Sequence, residues 1–255
     1  MILHPRNPIS PSTSSFVPVW DAVLRTQKQP ATEWRLIAQA DHATLAGEMA
    51  GKVASPDFPK LDPEVIQAIA VHDDGWKQID EARREKNSDH PLSFFEEAPG
   101  DIFRAWKSSI ARGTQIAPIA GILVSEHFCR IARDFSRAAT TPPEIVQVLT
   151  TFVEREIAQQ EELREQQTRD AKEINLLVDV LQFFDLLSLY GCSGSAENVE
   201  FPQRFNQKTF RLYRESDKCR LQPPLFAQPT DFSIKASKYP SRGRETIEQI
   251  SVLFA

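Results

Sequence analysis

The sequence predicts a mainly α-helical fold, in which a helical core carries a small antiparallel β-sheet formed by N- and C-terminal segments. Apolar residues recur at helical spacing between about residues 39 and 192, whereas short alternating segments occur at about residues 17–38 and 201–240. With 255 residues, 41% of them hydrophobic and 25% charged, the chain can bury one sizeable core. We therefore expect one domain over residues 17–255, preceded by a loose tail over residues 1–16.

The N-terminal part of the chain predicts a tail and then a hairpin. Residues 5–15 are rich in Pro and Ser and show no apolar periodicity. The segments VWDAVLRT and EWRLIAQ follow, separated by the turn-prone QKQPAT. Their content of Val, Trp, Leu and Ile indicates two antiparallel strands.

The first core helix is predicted from Asp41 to Ala54. Leu45, Met49 and Val53 lie four residues apart on one face, and Asp41 suits the N-cap. This helix carries His42 close to its start.

A second helix is predicted from Glu64 to about Asp73. Asp62 and Pro63 suit the N-cap and the first helical position, and Gly75 ends the helix. The stretch AIAVHDDGW is therefore the C-terminal end of a helix.

Further helical segments and C-terminal strands complete the prediction. A helix is expected at about residues 102–112, followed by APIAGILVSEHFCRIARDFSRA, by the charged TTPPEIVQVLTTFVEREIAQQEELREQQTRD and by the apolar AKEINLLVDVLQFFDLLSLYGC. Strands are expected at TFRLYRE, KCRLQPPLF and DFSIKASKYP, and a short helix at ETIEQISVLFA. The terminal β segments either complete the fold or form the contact of a homodimer.

Composition narrows the classes of partner. The formal net charge is −5 and no block of Lys and Arg occurs, which argues against nucleic acid and leaves a small anionic substrate open. Cys129, Cys192 and Cys219 are odd in number and form no CxxC pair, as is typical of reduced cytoplasmic thiols. The N-terminus does not resemble a signal peptide, and no run of eighteen apolar residues predicts a membrane span.

Five potential metal ligands lie beside apolar residues in the predicted helices. They are His42, His72, Asp73, His127 and Asp185. Imidazole and carboxylate together suit divalent ions such as Mn, Fe, Ni, Zn or Mg, and spacing alone does not choose among them. A bound cation would also explain Asp185, because an unpaired carboxylate in an apolar helix is costly.

Each of these residues also has a purely structural interpretation. His42 and His127 can be hydrogen-bonded core histidines, and Asp185 can bridge helices through backbone donors. Trp76 and Trp106 are most simply core residues.

The local phrases IAQADHATLAG, AIAVHDDGW, ILVSEHF and FFDLLSLYGC place His, then His-Asp, then Asp on successive helices. This order resembles the HD-domain superfamily of metal-dependent phosphohydrolases, and the phrases look like those of an uncharacterised bacterial family within or close to it. The resemblance covers about residues 33–192. It implies an HD-domain-like helical core with His42, His72, Asp73 and Asp185 as metal ligands.

The resemblance leaves the number of metals open. Superfamily members with two extra histidines before the last Asp hold two metals, as cyclic-nucleotide phosphodiesterases and di-iron oxygenases do. His90 and His127 occupy the corresponding stretch here, although His90 lies in the turn-like NSDHPLSFF. Several one-metal members carry a catalytic acid one turn after the HD pair, whereas this chain has Trp76.

The predicted function is a metal-dependent hydrolase of a phosphate ester, perhaps of a nucleotide. Asp74 is the first candidate for general base and Glu126 the second. Four cations are near enough in sequence to anchor phosphate, although each can equally be surface charge: Lys77, Arg104, Lys107 and Arg130.

Two alternatives remain open. A di-iron oxygenase of the same type would need both His90 and His127 as ligands. A non-catalytic ligand-binding or regulatory module with a degenerate HD site is favoured by Trp76, which stands where an acid is expected.

Overall fold

Helices and one large sheet make up the part of the chain that the computed structural model describes, residues 1–8, 15–84, 91–215, 218–240 and 246–255. The helices are α1 Val19–Gln27, α2 Gln39–Gly51, α3 Pro63–Val71, α4 Lys77–Arg84, α5 Pro99–Ile116, α6 Pro118–Arg137, α7 Pro143–Arg164 and α8 Ala171–Ser193. The strands are β1 Ile2–Pro5, β2 Val17–Pro18, β3 Trp34–Ile37, β4 Val199–Phe205, β5 Lys208–Glu215, β6 Lys218–Gln222, β7 Thr230–Tyr239 and β8 Ile247–Phe254.

The eight strands form a single sheet in the order β1-β3-β7-β8-β6-β5-β4-β2. Most neighbours are antiparallel, whereas β8 pairs with β6 and β2 pairs with β4 in parallel. The sheet curls into a half-barrel that draws strands from the whole chain, and the structure is 54% helix and 20% strand. The prediction of a mainly α fold with a small antiparallel sheet is therefore wrong.

The size of the sheet was hidden because several strands are short and their partners are distant in sequence. β1 has four residues and β2 has two, too few for alternation to be visible. The predicted loose tail is wrong for Ile2–Pro5, whose four residues are buried against β3. Residues 9–14 of that tail lie outside the described residues.

Two elements have the opposite type from the prediction. VWDAVLRT is helix α1, and its buried residues Val19, Ala22, Val23 and Thr26 follow a helical period. The predicted closing helix is strand β8, which pairs with β7 from Thr230 opposite Phe254 to Ser237 opposite Ile247. Tertiary pairing decides the type of such short, ambiguous segments.

The predicted core helices are present, and α2, α3 and α6 pack directly against α8. Four of them begin with a proline, at Pro63, Pro99, Pro118 and Pro143, as suits the first helical position. The expected N-cap at Asp41 is wrong, because α2 begins two residues earlier at Gln39.

Helix α8 is the centre of the core. Its length and apolar composition are enough to cross a membrane, but 78% of its most apolar window is buried inside the protein. One contact is with the sheet, where the Phe183 ring lies 4.7 Å from the Phe201 ring of β4. Its burial is therefore that of a core helix packed by other helices and by a sheet.

Candidate metal centre

Four elements bring the predicted ligands together. His42 lies in the first turns of α2, His72 directly follows α3, and Asp73 precedes a short 3-10 turn at Asp74–Trp76. Asp185 comes from the middle of α8. His42 and Asp185 are therefore held within helices, and His72 and Asp73 by the turn that directly follows α3.

Two glycines allow these elements to approach closely. A Cβ atom at Gly47 would collide with the backbone and side chain of Ala70, so this glycine lets α2 and α3 pack tightly. A Cβ atom at Gly75 would collide with the carbonyl oxygen of Ala105 in α5. The Gly75 amide also donates to Ser109 Oγ at 3.0 Å, which fixes the turn after Asp73.

The candidate ligand atoms lie within one small volume. One atom each from His42, His72 and Asp185 lie within 4.8 Å of one another, as in a group that could hold a metal ion. Asp73 Oδ2 is 3.0 Å from His42 Nε2 and 3.9 Å from His72 Nε2. His72 Nε2 is 3.4 Å from Asp185 Oδ1.

Hydrogen bonds fix which nitrogen of each ring faces the cluster. His72 Nδ1 lies 2.7 Å from the carbonyl oxygen of Ile69, which can only accept, so Nδ1 carries the proton. Ser188 Oγ donates to the Asp185 carbonyl at 2.9 Å and therefore accepts from His42 Nδ1 at 2.9 Å. In the neutral rings, both Nε2 lone pairs point toward carboxylates.

Lone pairs that face carboxylate oxygens in a buried site require a positive charge between them. His72 and His42 are fully buried, and His72 Nε2 has no hydrogen-bond partner in the protein. Burial lowers the pKa of His72, but the charges of Asp73 and Asp185 outweigh it and raise the pKa to about 9. The cluster therefore attracts a cation, either a metal ion or a proton.

The Asp185 carboxylate lies within 4.0 Å of nitrogens of His42, His72 and His127. Burial raises the pKa of this carboxyl group, but the close approach and charge of His72, with the charges of His127 and His42, lower this pKa overall. An ionised, buried carboxylate faced by imidazole nitrogens is a suitable donor for a divalent ion.

His127 of α6 lies at the edge of the same cluster. Its Nε2 is 4.0 Å from Asp185 Oδ2, and its ring centroid is 5.3 Å from that of His72. Burial lowers the pKa of His127 to about 4, with the charges of His72 and His42 acting in the same direction, so the ring is neutral. Its Nδ1 is buried without a partner.

The two candidate general bases are not brought into the cluster. Asp74 turns toward Lys77 at 3.0 Å and toward Arg112 at 3.7 Å. Glu126 pairs with Arg133 at 2.7 Å. Each carboxylate is therefore paired with arginine or lysine side chains rather than with the candidate ligands.

The four predicted phosphate-binding cations also lie outside the cluster of candidate ligands. Lys77 and Arg104 line a separate cleft, where Arg104 donates to Asp101 at 2.8 Å. Lys107 is exposed on α5. Arg130 joins α6 to α8 through Asp179 at 2.6 Å, which is a structural contact.

His90, the other histidine predicted for a second metal, lies outside the residues that the structure describes.

Comparison with known proteins gives one family. The model of the family described as "Protein of unknown function (DUF3891)" matches residues 25–240. The chain belongs to the DUF3891 family. No curated protein and no solved structure matches it. The match includes every residue of the cluster.

In this DUF3891 protein a cavity of about 550 Å³ adjoins the cluster. Asp73, His127 and Asp185 line it, so it opens onto the candidate ligands. Trp76, which stands where a catalytic acid was expected, is 3% exposed and forms part of the wall.

Sequence reasoning missed residues whose spacing was informative. Ser188 lies three residues after Asp185 and Gln39 three residues before His42, so each shares a helix face with a candidate ligand. Trp76 and Trp106, interpreted from the sequence as core residues, also line the cavity, because aromatic residues at helical spacing look the same in both roles.

Proposed function

We propose that this DUF3891 protein is a metal-dependent hydrolase of phosphate esters. In this proposal His42, His72, Asp73 and Asp185 hold a divalent ion, as the resemblance to the HD-domain superfamily implies. The supporting observation is that the Nδ1 protons of both histidines are engaged elsewhere, leaving two Nε2 lone pairs against two carboxylates.

The donor set fits such an ion. Nitrogen and carboxylate oxygen together suit Mn, Fe, Ni, Zn or Mg. A divalent ion at this position would polarise a phosphoryl oxygen and lower the pKa of a water molecule. Hydrolysis then adds water across the ester bond, with the hydroxyl going to phosphorus and the proton to the departing alcohol.

The chain's own residues contribute position and an enclosed environment. Ser188 and the Ile69 carbonyl orient the two imidazoles, and hydrogen-bonded histidines of this kind bind metals more tightly. His127 offers an unpartnered nitrogen at the cavity wall, where it can bind a phosphoryl oxygen or the attacking water. The buried free thiols Cys129, Cys192 and Cys219 support a reducing compartment, and we propose the cytoplasm.

Hydrolysis of 4-nitrophenyl phosphate by manganese- or nickel-loaded protein tests the proposal. We expect turnover by the wild type and none by Asp185→Asn. Asp179→Asn is the matched control, because Asp179 lies on the same helix but pairs with Arg130 away from the cluster. Metal-loaded wild type that hydrolyses no phosphate ester would instead favour a non-catalytic module.

A second candidate function, a two-metal iron oxygenase, is favoured by the position of His127. Its neutral ring lies within reach of Asp185 and has an unpartnered nitrogen. The ratio of iron to chain distinguishes the two functions. His42→Ala should remove the ion in either case, whereas His127→Ala should lower the ratio only in the two-metal protein.

A further inference from the structure

The cavity beside the metal centre is lined mainly by apolar side chains. Its wall contains a set of aromatic residues from five separate elements of the chain: Trp20, Trp76, Phe94, Phe95, Phe103, Trp106, Phe128 and Phe135. Branched aliphatic residues such as Ile102, Ile131 and Ile145 fill the gaps. A volume of about 550 Å³ is within the usual range for a small-molecule site.

The aromatic wall is built before any ligand enters. Trp106 and Phe128 stack with ring centroids 5.1 Å apart, and Trp20 meets Phe95 edge-on at 5.1 Å. Rings packed in this way hold each other's rotamers. The cavity therefore offers preorganised apolar surface at little ordering cost.

The charges of the cavity disfavour a polyanion. Asp73, Glu96 and Asp185 are acidic, whereas Lys28 is the one lysine or arginine among the described lining residues. A single divalent ion at the cluster would leave little positive charge for a triphosphate. The cations that could have held one, Lys77 and Arg104, line a different cleft.

Polar groups available to a ligand are few. Gln39 lines the cavity, is 2% exposed, and its Oε1 has no hydrogen-bond partner. His127 Nδ1 is likewise buried without a hydrogen-bond partner. Gln39 precedes His42 by one turn of α2 and shares its helix face. His127 Nε2 lies 4.0 Å from Asp185 Oδ2. Gln39 Oε1 accepts a hydrogen bond and can bind a P–OH group or a water on the head group, whereas a neutral histidine nitrogen donates or accepts according to its tautomer. Two such groups can orient one head group but cannot satisfy the hydroxyls and base edge of a nucleotide.

We propose that the substrate of this site is an ester with an apolar alkyl or aryl body and a single phosphoryl head. The body fills the aromatic cavity, and the head lies at the metal centre within reach of Gln39 and His127. This inference rests on the proposed hydrolase for the phosphoryl head, whereas the apolar body follows from the cavity itself.

A series of n-alkyl phosphonates, from methyl to hexyl, tests the inference without requiring turnover. Binding is measured by calorimetry on the manganese-loaded and the metal-free wild type. Because burying each methylene group in the apolar cavity strengthens binding, we expect the dissociation constant to fall about three- to fourfold with each added methylene. A constant that does not change along the series, or no detectable binding of the longer members, overturns the inference.

A pair of variants locates the binding surface. Ile145 lines the cavity from α7, and Val148 lies one turn later, 46% exposed and outside the cavity lining. We expect Ile145→Asp to weaken binding of hexylphosphonate at least about tenfold and Val148→Asp to leave it unchanged. Equal affinity of the two variants for hexylphosphonate, with melting temperatures unchanged from the wild type, overturns the inference. If Ile145→Asp fails to fold, the wild-type series alone decides.

The two proposals fail in different ways. A steep chain-length dependence with no hydrolysis of any ester supports the apolar site and refutes the hydrolase. Hydrolysis with faster turnover of nucleoside monophosphates than of hexyl or naphthyl phosphate supports the hydrolase and refutes the apolar substrate.

Discussion

The Nδ1 atom of His72 lies 2.7 Å from the carbonyl oxygen of Ile69, one helical turn earlier in the chain. The end of α3 therefore selects the tautomer of His72 and directs its Nε2 lone pair toward Asp185. Ser188 does the same for His42 from α8. Histidines oriented in this way by backbone or hydroxyl groups are typical of metal sites.

Ser188→Ala should weaken metal binding without unfolding the protein. The change removes the acceptor of the His42 Nδ1 proton, and losses of this kind cost about 10- to 100-fold in metal affinity. Ser193→Ala is the matched control, because Ser193 is equally buried on α8 but bonds to the Tyr190 carbonyl. Equal metal affinities of the two variants, measured by competition with a chelator, would show that Ser188 does not orient a ligand.

The metal-free protein should lose stability as the pH rises from about 6.5 to about 9. The folded-state pKa of His72 is raised, against the effect of burial, by Asp73 and Asp185 to about 9 from 6.5. The resulting stabilisation is fully present below the unfolded value and is lost as the pH passes through the folded value. When denaturant unfolding is measured across this pH window, the difference in free energy of unfolding between the wild type and His72→Gln should shrink as the pH rises. A difference in free energy of unfolding that stays constant with pH would show that the titration of His72 does not contribute to stability.

Asp74→Asn should change turnover by no more than about twofold, because the side chain pairs with Lys77 and Arg112 outside the cavity. Glu126→Gln should likewise change turnover by no more than about twofold, because Glu126 pairs with Arg133. A loss of most activity in either variant, with metal content unchanged, would restore that carboxylate as the general base.

Gly75→Ala should destabilise the protein by about 1–3 kcal/mol and weaken metal binding, because the new methyl group collides with Ala105 and displaces the turn that holds Asp73. Gly51→Ala is the control, since nothing lies within 4 Å of a Cβ atom there. Thermal unfolding and chelator competition measure both effects. A Gly75→Ala protein indistinguishable from the wild type in both would show that the close approach is not required.

The core helices α2, α3, α5, α6, α7 and α8 and the residues of the metal cluster could be predicted because their signals are local. A histidine or aspartate within an apolar helical stretch indicates a buried site whatever its partners are. The resemblance of their order to the HD-domain superfamily implied that His42, His72, Asp73 and Asp185 meet, and the structure places them together.

The sheet and the surroundings of the cluster could not be predicted in the same way. β3 pairs with β7, which lies about two hundred residues later, since Trp34 stands opposite Tyr239. No local pattern in the sequence records such pairing. The direction of Asp74 depends on how the turn at Gly75 packs on α5. Glu126 is adjacent to His127 in sequence, but neighbours on a helix point about 100° apart and reach different surroundings.

The ratio of metal to chain tests most directly whether His42, His72, Asp73 and Asp185 hold a divalent ion. Elemental analysis of the purified wild type, after loading with manganese, nickel, iron or zinc and removal of the excess, should give at least one ion per chain. Asp185→Ala, with the same fold by circular dichroism, should give a ratio near zero. A wild type that retains no ion after loading, or an Asp185→Ala protein that retains as much as the wild type, would contradict the account.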